Sequence, residues 1–417
     1  MRTIVIIGGA GNMVQYAVQL LLGIYDTCKI ILADFNNEKA VRIAESYRTP
    51  RVQSVYVDVY QPELLRKIIR GCDLVVNGAG PYYRTGIPVL DACIDEKVDY
   101  IDMGDDDESA LSLLNMDEAV RKAGITALIC CGIAPGVVNV MARWLAQKID
   151  TAYTVEVAWV TGSGPDKDKK KEGAAVIEHM VHVSKGKCVT IVNGERVLIP
   201  SFRLGKIIDF PRPVGRYTVY QIGHAETATI PRFMPSVKRV CSMGSLHPAY
   251  LNGIFRGIGW LVEHGQIKMN DAVKAIMDLD QGKQIRGFKI NMAIIIGTMK
   301  QVLNREISFR EFLMILKSKN ESEVADAAGA IMVAVEGIRN RKRLRLEVKY
   351  SAKLEMDEAT GTPLAIFASI LLDGHINQKG VFAPEGCINP KLLFERLQKH
   401  NPFIIALINS FEERVIS

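Results

Sequence analysis

A histidine and a glutamate near the middle of the chain have the types and spacing of an acid–base pair. The segment Gly223-His224-Ala225-Glu226-Thr227 follows a predicted strand, so both titratable side chains lie at a strand end. A histidine or carboxylate within hydrogen-bonding reach of a reacting nitrogen can accept its proton. We predict that His224 and Glu226 are catalytic. A purely local hydrogen-bonding role is the alternative for His224.

Neighbouring side chains could bind a substrate. Arginine forks hold carboxylates, and Arg212, Arg216 and Arg232 flank the same segment. Because Arg212 and Arg216 lie beside prolines, a solvated loop position is their alternative. His182 is a further predicted substrate ligand, one helical turn after His179, which also suits one side of a metal site. The sequence offers no third ligand, so we predict no metal.

The N-terminal segment has the order strand, glycine turn, helix. Ile4-Val5-Ile6-Ile7 precedes Gly8-Gly9-Ala10-Gly11, and the next apolar run ends in Asp34. Glycines let the backbone approach a pyrophosphate, the helix N-terminus offers N–H groups, and an acid about 20 residues on accepts from ribose hydroxyls. Val14 replaces the third glycine of the motif, so the helix must lie slightly farther from the first strand. The turn predicts a dinucleotide site, with an unliganded turn as the alternative.

Strands and helices alternate through the first 130 residues. The strands are predicted at 4–7, 30–34, 52–58, 73–77, 99–102 and 126–130, and the helices at 12–22, 62–70, 86–96 and 115–123. This alternation predicts an α/β fold with a doubly wound, Rossmann-type parallel sheet and a ligand at the carboxyl ends of its strands. The predicted cofactor-binding residues are Gly8, Gly9, Gly11, Asn12, Met13, Asp34, Asp58, Asn77, Gly80 and Pro81.

After about residue 131 the pattern changes to strands with few helices between them. These strands are predicted at 155–160, 188–192, 196–199, 217–222 and 344–354. Asn193-Gly194 is a strong hairpin signal. Residues 248–340 have apolar positions at helical spacing. We predict a second, α+β domain with a mixed or antiparallel sheet and a helical insertion at about 248–340.

Composition excludes several classes of protein. A chain of 417 residues with 48% hydrophobic residues can form two packed domains. The net charge of +6 is mild and spread out, so we expect no nucleic-acid partner and a solvated loop at the lysine-rich run 167–171. No apolar stretch reaches the 18 or so residues of a membrane helix. The eight cysteines lack metal-ligand spacing, which favours reduced thiols in a cytoplasmic protein.

Four segments together resemble the saccharopine dehydrogenase–reductase family, and within it most of all the lysine 6-dehydrogenases. They are the N-terminal turn, the stretch from Asn77 to Tyr83, the stretch from Gly132 to Asn139, and the region 360–385 with Thr360-Gly361-Thr362-Pro363, Gly374, Gly380-Val381 and Pro384-Glu385. They follow the family's order over nearly the whole chain.

The resemblance implies that two domains of the chain have different roles. Residues 1–131 are expected to form the dinucleotide-binding domain, completed by about 356–417. Residues 132–355 are expected to supply the substrate site and the interface of a homodimer. The implied reaction is hydride transfer between a nicotinamide and a carbon bearing an amine. Lysine 6-dehydrogenase-like oxidative deamination of an amino acid or related amine is the first candidate. A saccharopine- or carboxynorspermidine-type reductase and a non-catalytic dinucleotide sensor are the alternatives.

The cofactor prediction depends on the residues after the second strand. Many NADP-using members of the family place an arginine there, whereas this chain has Ala33-Asp34-Phe35-Asn36-Asn37. A carboxylate repels a 2′-phosphate and accepts from a free ribose diol, so we expect NAD rather than NADP. Tyr82 follows Pro81 at the implied nicotinamide position and is our third predicted catalytic residue.

Overall fold

The computed structural model describes residues 2–162, 174–280, 287–305, 308–310, 312–313, 328–353, 356–401 and 403–416. The lysine-rich run 167–171 lies outside the described residues. The strands are β1 Arg2–Ile7, β2 Cys28–Asp34, β3 Val52–Tyr56, β4 Leu74–Asn77, β5 Asp99–Asp102, β6 Thr126–Leu128, β7 Thr151–Thr161, β8 Lys187–Val192, β9 Glu195–Pro200, β10 Gly205–Asp209, β11 Arg216–Gln221, β12 Arg239–Leu246, β13 Gly329–Arg339, β14 Lys342–Ala352, β15 Gly380–Phe382 and β16 Glu412–Val415.

Helices connect these strands and cover the sheets. They are α1 Asn12–Ile24, α2 Asn37–Ser46, α3 Pro62–Ile69, α4 Tyr82–Glu96, α5 Asp107–Leu114, α6 Asp117–Ala123, α7 Val137–Ala146, α8 Ala174–Ser184, α9 Glu226–Phe233, α10 Tyr250–Glu263, α11 Met269–Asp280, α12 Phe288–Leu303, α13 Met356–Leu372, α14 Pro384–Cys387, α15 Pro390–His400 and α16 Phe403–Asn409. Among the described residues, no helix is both long and apolar enough to cross a membrane.

Seven parallel strands form the first sheet, in the order β15-β6-β5-β4-β1-β2-β3. The six N-terminal strands have the order of a complete doubly wound nucleotide fold, which confirms the predicted fold class. The strand β4 is buried along its whole length, as expected where helices cover both faces of a sheet. Parallel pairing brings the carboxyl ends of all these strands to one edge, which we call the carboxyl edge.

Three helices of this domain differ from the sequence prediction. The helix α4 begins at Tyr82 instead of residue 86, because Pro81 takes the N-cap position. The predicted helix 115–123 is α6 alone, and a separate helix, α5, precedes it. The helix α2 was not predicted, since it buries only two small residues, Ala40 and Ala44, and has little apolar pattern.

The second sheet has nine strands and is mixed, as predicted. Its main path runs β10-β11-β12-β7-β13-β14-β16, and β8 pairs with β12 and β9. The strands β12 and β7 are parallel, and the remaining neighbours are antiparallel. Asn193 and Gly194 join β8 to β9 with φ angles of 54° and 83°, the left-handed backbone that this hairpin turn requires.

The predicted helical insertion ends earlier than residue 340. The helices α10, α11 and α12 lie within it, but residues 329–339 form β13 between β7 and β14. Nearly every residue of β13 is buried. A strand buried on both faces lacks alternation and is not distinguished from a buried helix by periodicity.

The C-terminal segment contributes to both sheets. The helix α13 packs against α1, where Gly361 allows close contact with the backbone of Met13, and β15 joins β6 in the first sheet. The last strand, β16, pairs with β14 in the second sheet. Assigning all of 356–417 to the nucleotide domain is therefore wrong for β16, whose exposed tetrapeptide gives no signal of its partner.

Candidate active site

At the glycine turn between β1 and α1, three backbone segments come close together. Gly8 has a φ of 72°, and a methyl group on it would lie 2.7 Å from the backbone of Ala79. A methyl group on Gly9 would lie 2.7 Å from Leu32. Only glycines fit these positions, and the turn leads directly into the N-terminus of α1. This geometry fits the pyrophosphate of a dinucleotide.

Asp34 holds the turn from the end of β2. Its Oδ2 accepts a hydrogen bond from the N–H of Ala10 at 2.8 Å, and its Oδ1 accepts from the N–H of Asn36 at 2.7 Å. The carboxylate is half-buried, and the adjacent Phe35 is exposed. Asp34 is therefore positioned both to fix the turn and to meet an adenosine ribose.

The ten predicted cofactor residues all lie along the carboxyl edge, at the ends of β1 to β4, in the loops that follow them and in the first turn of α1. Besides Asp34, two of them have side-chain hydrogen bonds that shape the edge. Asn77 is fully buried and donates from Nδ2 to the hydroxyl of Tyr100 at 3.1 Å, which in turn donates to Asp102 at 2.8 Å. Asp58 accepts from the N–H of Tyr60 at 3.0 Å and shapes the turn into α3.

Beyond Asp102, two carboxylates and a histidine from different elements meet. The loop after β5 carries Asp105 and Asp106, and α8 carries His179. Nδ1 of His179 lies 2.9 Å from Oδ1 of Asp106, and Nε2 lies 3.2 Å from Oδ2 of Asp105. Burial alone would lower the pKa of His179, but the two carboxylates outweigh it and raise that pKa to about 9. The imidazole is therefore protonated at neutral pH and offsets one of two carboxylates.

His224 and Glu226 form a second buried pair beside this cluster. Nδ1 of His224 lies 2.6 Å from Oε2 of Glu226, which also accepts from Oγ of Ser242 at 3.1 Å. Burial would lower the pKa of His224, and the charge and hydrogen bond of Glu226 raise it above its ordinary value. The N–H of Ala225 donates to the carbonyl oxygen of Asp105 at 2.9 Å, which joins the two pairs.

The site contains acceptors without partners. Oδ2 of Asp106 and Oε1 of Glu226 are buried, and neither has a hydrogen-bond partner in the part of the chain that the structure describes. Nε1 of Trp159 is likewise unpaired, and its ring lies 5.6 Å from that of His224. Unpaired buried acceptors are costly in a folded protein, and these two oxygens are available to the donor group of a ligand.

Tyr82 lies between the glycine turn and the acid–histidine cluster. A methyl group on Gly104 would lie 3.4 Å from the ring of Tyr82, so the ring lies over the loop that leads to Asp105. Burial raises the pKa of Tyr82 well above its ordinary range, so its hydroxyl is a donor. Tyr83 stacks on His182 at 4.6 Å and donates to Glu178 at 2.7 Å. His182 is thus placed beside the cluster on α8.

The three predicted substrate arginines are not brought to this site. Arg216 begins β11, whereas His224 follows its other end, roughly 20 Å away at about 3.3 Å per residue. Arg212 belongs to the same remote β10–β11 turn. Arg232 ends α9 and points to Asp117, which lies 3.5 Å away beside β15. All three side chains are exposed. Closeness in sequence did not predict closeness in space for Arg212 and Arg216, because the length of β11 separates them from His224.

The structure supplies the third metal-ligand candidate that the sequence lacked. Ligand atoms of Asp105, Asp106 and His179 lie within 4.8 Å of one another. Both ring nitrogens of His179 also face carboxylates, so the same three side chains form a compact ion-pair cluster when the ring is protonated. We interpret the group as an ion-pair cluster, and the absence of a metal stays a prediction.

Sequence reasoning missed Asp105 and Asp106. The acidic run Asp105-Asp106-Asp107-Glu108 directly follows β5, and this position at the carboxyl edge was the available signal. It also missed a buried contact between two segments that resemble the family. Asn139 donates to Glu385 at 2.9 Å and to Thr229 at 3.1 Å, which ties α7 to the C-terminal segment and to α9 behind the site.

Comparison with known proteins agrees with this geometry. Residues 4–128 match the family described as the saccharopine dehydrogenase NADP binding domain. The matched region is the dinucleotide-binding domain, which is thus similar to the corresponding domain of this family. The apo saccharopine dehydrogenase (L-Glu forming) from Saccharomyces cerevisiae superposes over 100% of both chains with a TM-score of 0.64 at 14% identity, which shows a shared fold.

Two curated proteins that are similar to this chain have related names. Carboxyaminopropylagmatine dehydrogenase from Synechocystis sp. is 23% identical over 60% of this chain and 63% of its own length. Carboxynorspermidine synthase from Vibrio cholerae is 26% identical over 56% of this chain and 60% of its own length. The chain thus spans less than two thirds of either relative.

Proposed function

We propose that this protein is an NAD(P)-dependent oxidoreductase that acts on the C–N bond of a small amine. The observation that carries the proposal is the convergence of the Asp105–His179–Asp106 cluster and the His224–Glu226 pair beside the dinucleotide turn. A bound dinucleotide would supply or accept the hydride. The chain's own residues would bind the amine and handle its proton.

The charge of the site suits an amine. One imidazolium stands against two carboxylates in the cluster, which leaves an excess of negative charge in a buried place. The open oxygens of Asp106 and Glu226 are acceptors, as N–H donors require. A polar site of this kind also argues against the sensor alternative, for which we expected a cleft filled by apolar side chains.

His224 is the proposed proton carrier. Glu226 binds Nδ1 and so directs the lone pair to Nε2, for which the described residues offer no hydrogen-bond partner. In the direction of amine oxidation, Nε2 would take the proton that a neutral amine must lose before hydride leaves. Glu226 would stabilise the imidazolium that results. In the direction of reduction, the same nitrogen would return the proton.

The substrate class is the finer part of the proposal. The names of the two relatives favour a reductase that joins an amine to a carbonyl compound, of the carboxynorspermidine type, over a lysine 6-dehydrogenase. Lysine-type deamination remains the second candidate, on the four resembling segments.

The cofactor and the setting complete the proposal. NAD is favoured over NADP by the Asp34 carboxylate at the ribose position, although the matching family is named for NADP. All eight cysteines are free thiols, most of them buried, in keeping with a reducing cytoplasm. We also expect a homodimer formed through the second domain.

The test is a two-way assay of cofactor turnover. Oxidation of NADH or NADPH would be followed with a panel of diamines, each paired with an aldehyde-bearing amino acid. Reduction of NAD or NADP would be followed with lysine and with each amine alone. We expect turnover in the paired reductive assay. Turnover with lysine alone would select the second candidate, and cofactor binding without turnover in any assay would select the sensor.

A further inference from the structure

The helix α12 packs its small residues and Ile290 inward and exposes most of its other large apolar residues. It packs on α10 through Gly297, where a methyl group would lie 2.3 Å from the carbonyl oxygen of Gly253, and through the buried Ala293. The opposite face exposes large apolar side chains, among them Phe288 at 80% and Leu303 at 76%. A surface helix normally turns such side chains toward the core.

These side chains form one continuous outer stripe. At about 100° per residue they fall within an arc of about 100° on the helix. The half-buried Ile295 lies within that arc, and the other members are exposed. The outer stripe consists of Phe288, Met292, Ile295, Ile296, Met299 and Leu303.

The residues of the outer stripe are spaced symmetrically about its midpoint. Its midpoint lies between Ile295 and Ile296. Met292 and Met299 are equally far from this midpoint. Phe288 and Leu303 are also equally far from it. A two-fold interface requires one patch that is complementary to itself. A second α12 laid antiparallel on the first would pair each member of the stripe with its mate.

The flanking charges permit this arrangement. In the same register Lys300 meets Asn291 of the second copy, and Lys289 meets Val302, so no two lysines oppose each other. Nζ of Lys289 is also drawn aside by a hydrogen bond of 3.0 Å to Oε1 of Gln266. The stripe contains no acid that pairing would bury.

The area is also sufficient for the centre of an interface. The exposed members present on the order of 500 Å² of apolar surface, which is at the upper end for an isolated monomer. Two copies would bury about 1,000 Å² through the stripe alone, which is the least that a specific interface needs.

We propose that the outer stripe of α12 is the centre of a two-fold interface with a second copy of this chain. The proposal gives a location and a residue register to the expected homodimer, and it does not depend on the proposed activity. Its tests need no substrate, so their failure is distinct from failure of the proposed function.

Light scattering on the full chain at tens of micromolar is the first test. We expect the mass of a dimer, and a monomer for Ile296→Glu, which puts a charge on the two-fold axis. The control Gln398→Glu adds the same charge at an exposed position of α15 and should stay dimeric. A monomeric unaltered chain, including one that binds lipid vesicles instead, overturns the proposal. So does a dimer that Ile296→Glu leaves intact.

Disulfide trapping tests the register without a destabilising charge. Met292 and Met299 are seven residues apart, about 10.5 Å along the helix, too far to bridge within one chain. Met292→Cys combined with Met299→Cys should therefore form covalent dimers on mild oxidation. Lys289→Cys combined with Lys300→Cys, outside the stripe on the same helix, should form few, as should the unaltered chain. Equal trapping by both pairs contradicts the register.

Discussion

Val14 fills the space that Gly78 leaves open. A methyl group on Gly78 would lie 2.3 Å from Cγ1 of Val14, and Val14 is fully buried. Val14 belongs to the same buried cluster as Ile4 and Ile6 of β1, and it also meets Gly78 directly after β4. The glycine that α1 lacks is thus matched by a glycine that follows a neighbouring strand.

Substitutions at Gly78 and Val14 should have coupled effects on stability. Gly78→Ala should destabilise the protein by about 1–3 kcal/mol, because the new methyl group overlaps Val14. Adding Val14→Ala should recover at least about 1 kcal/mol of that loss, a non-additivity typical of residues in contact. Urea unfolding of the two single variants and the double variant measures the coupling. Strict additivity would show that the two sites are independent.

Removing the proposed base should lower kcat and leave cofactor affinity unchanged. We expect His224→Ala to lose about 10²–10⁴-fold in kcat, the usual contribution of a positioned base. In the oxidative direction the rate should rise with pH as His224 loses its proton, above the ordinary range of a histidine because Glu226 raises its pKa. Glu226→Gln should move this rise to lower pH, because burial then dominates. The exposed His400→Ala is the control. Near-normal kcat in both site variants would return the search to His179, His182 and Tyr82.

The acid–histidine cluster should make stability depend on pH. The pKa of His179 is raised to about 9 in the folded protein, so its contribution is fully present below about 6.5 and is lost as pH rises through 9. Asp106→Asn should remove on the order of 2 kcal/mol of this dependence. Unfolding free energies at pH 6 and at pH 10 measure it, with the exposed Asp26→Asn as the matched control. An unchanged pH slope would mean that His179 is neutral in the fold.

Cofactor preference should depend on the end of β2. NAD should bind more tightly than NADP, since a carboxylate at Asp34 repels a 2′-phosphate. Asp34→Ser with Phe35→Arg should shift the preference toward NADP by about tenfold or more, which is about 1.4 kcal/mol. Asp34 also holds the N–H of Ala10, so absolute affinity for both cofactors should fall as the turn loosens. Calorimetric titration decides, and tighter NADP binding by the unaltered protein would refute the assignment.

The three arginines should contribute little to substrate binding, because the structure does not place them at the site. Replacing Arg212, Arg216 or Arg232 by alanine should leave KM for the amine within about twofold, because all three are exposed. Arg212 and Arg216 also lie a strand's length from His224, and Arg232 is directed to Asp117. Asp106→Asn is the positive comparison and should raise KM about tenfold by removing charge from a buried acceptor. A tenfold rise in KM for any of the arginine variants would restore that residue to the substrate site.

The sequence by itself determined the nucleotide fold and its ligand edge. Strands and helices alternate at regular spacing there, and the ends of the first five parallel strands carry a glycine or a polar residue. Such signals are local, since the residues that form each turn are adjacent in the chain. The hairpin at Asn193-Gly194 could be predicted for the same reason.

Only the tertiary structure decided the partners in the site. The structure brings together His179 on α8, Asp105 after β5 and Glu226 on α9 through contacts between elements that are far apart in the chain, and no spacing in the sequence encodes those contacts. Arg216 shows the converse, because eight residues of separation from His224 include a whole strand. The strand β13 was misread since burial on both faces removes alternation. Residues that are adjacent in the chain determine turns and strand ends, whereas the site depends on packing between residues that are far apart in the chain.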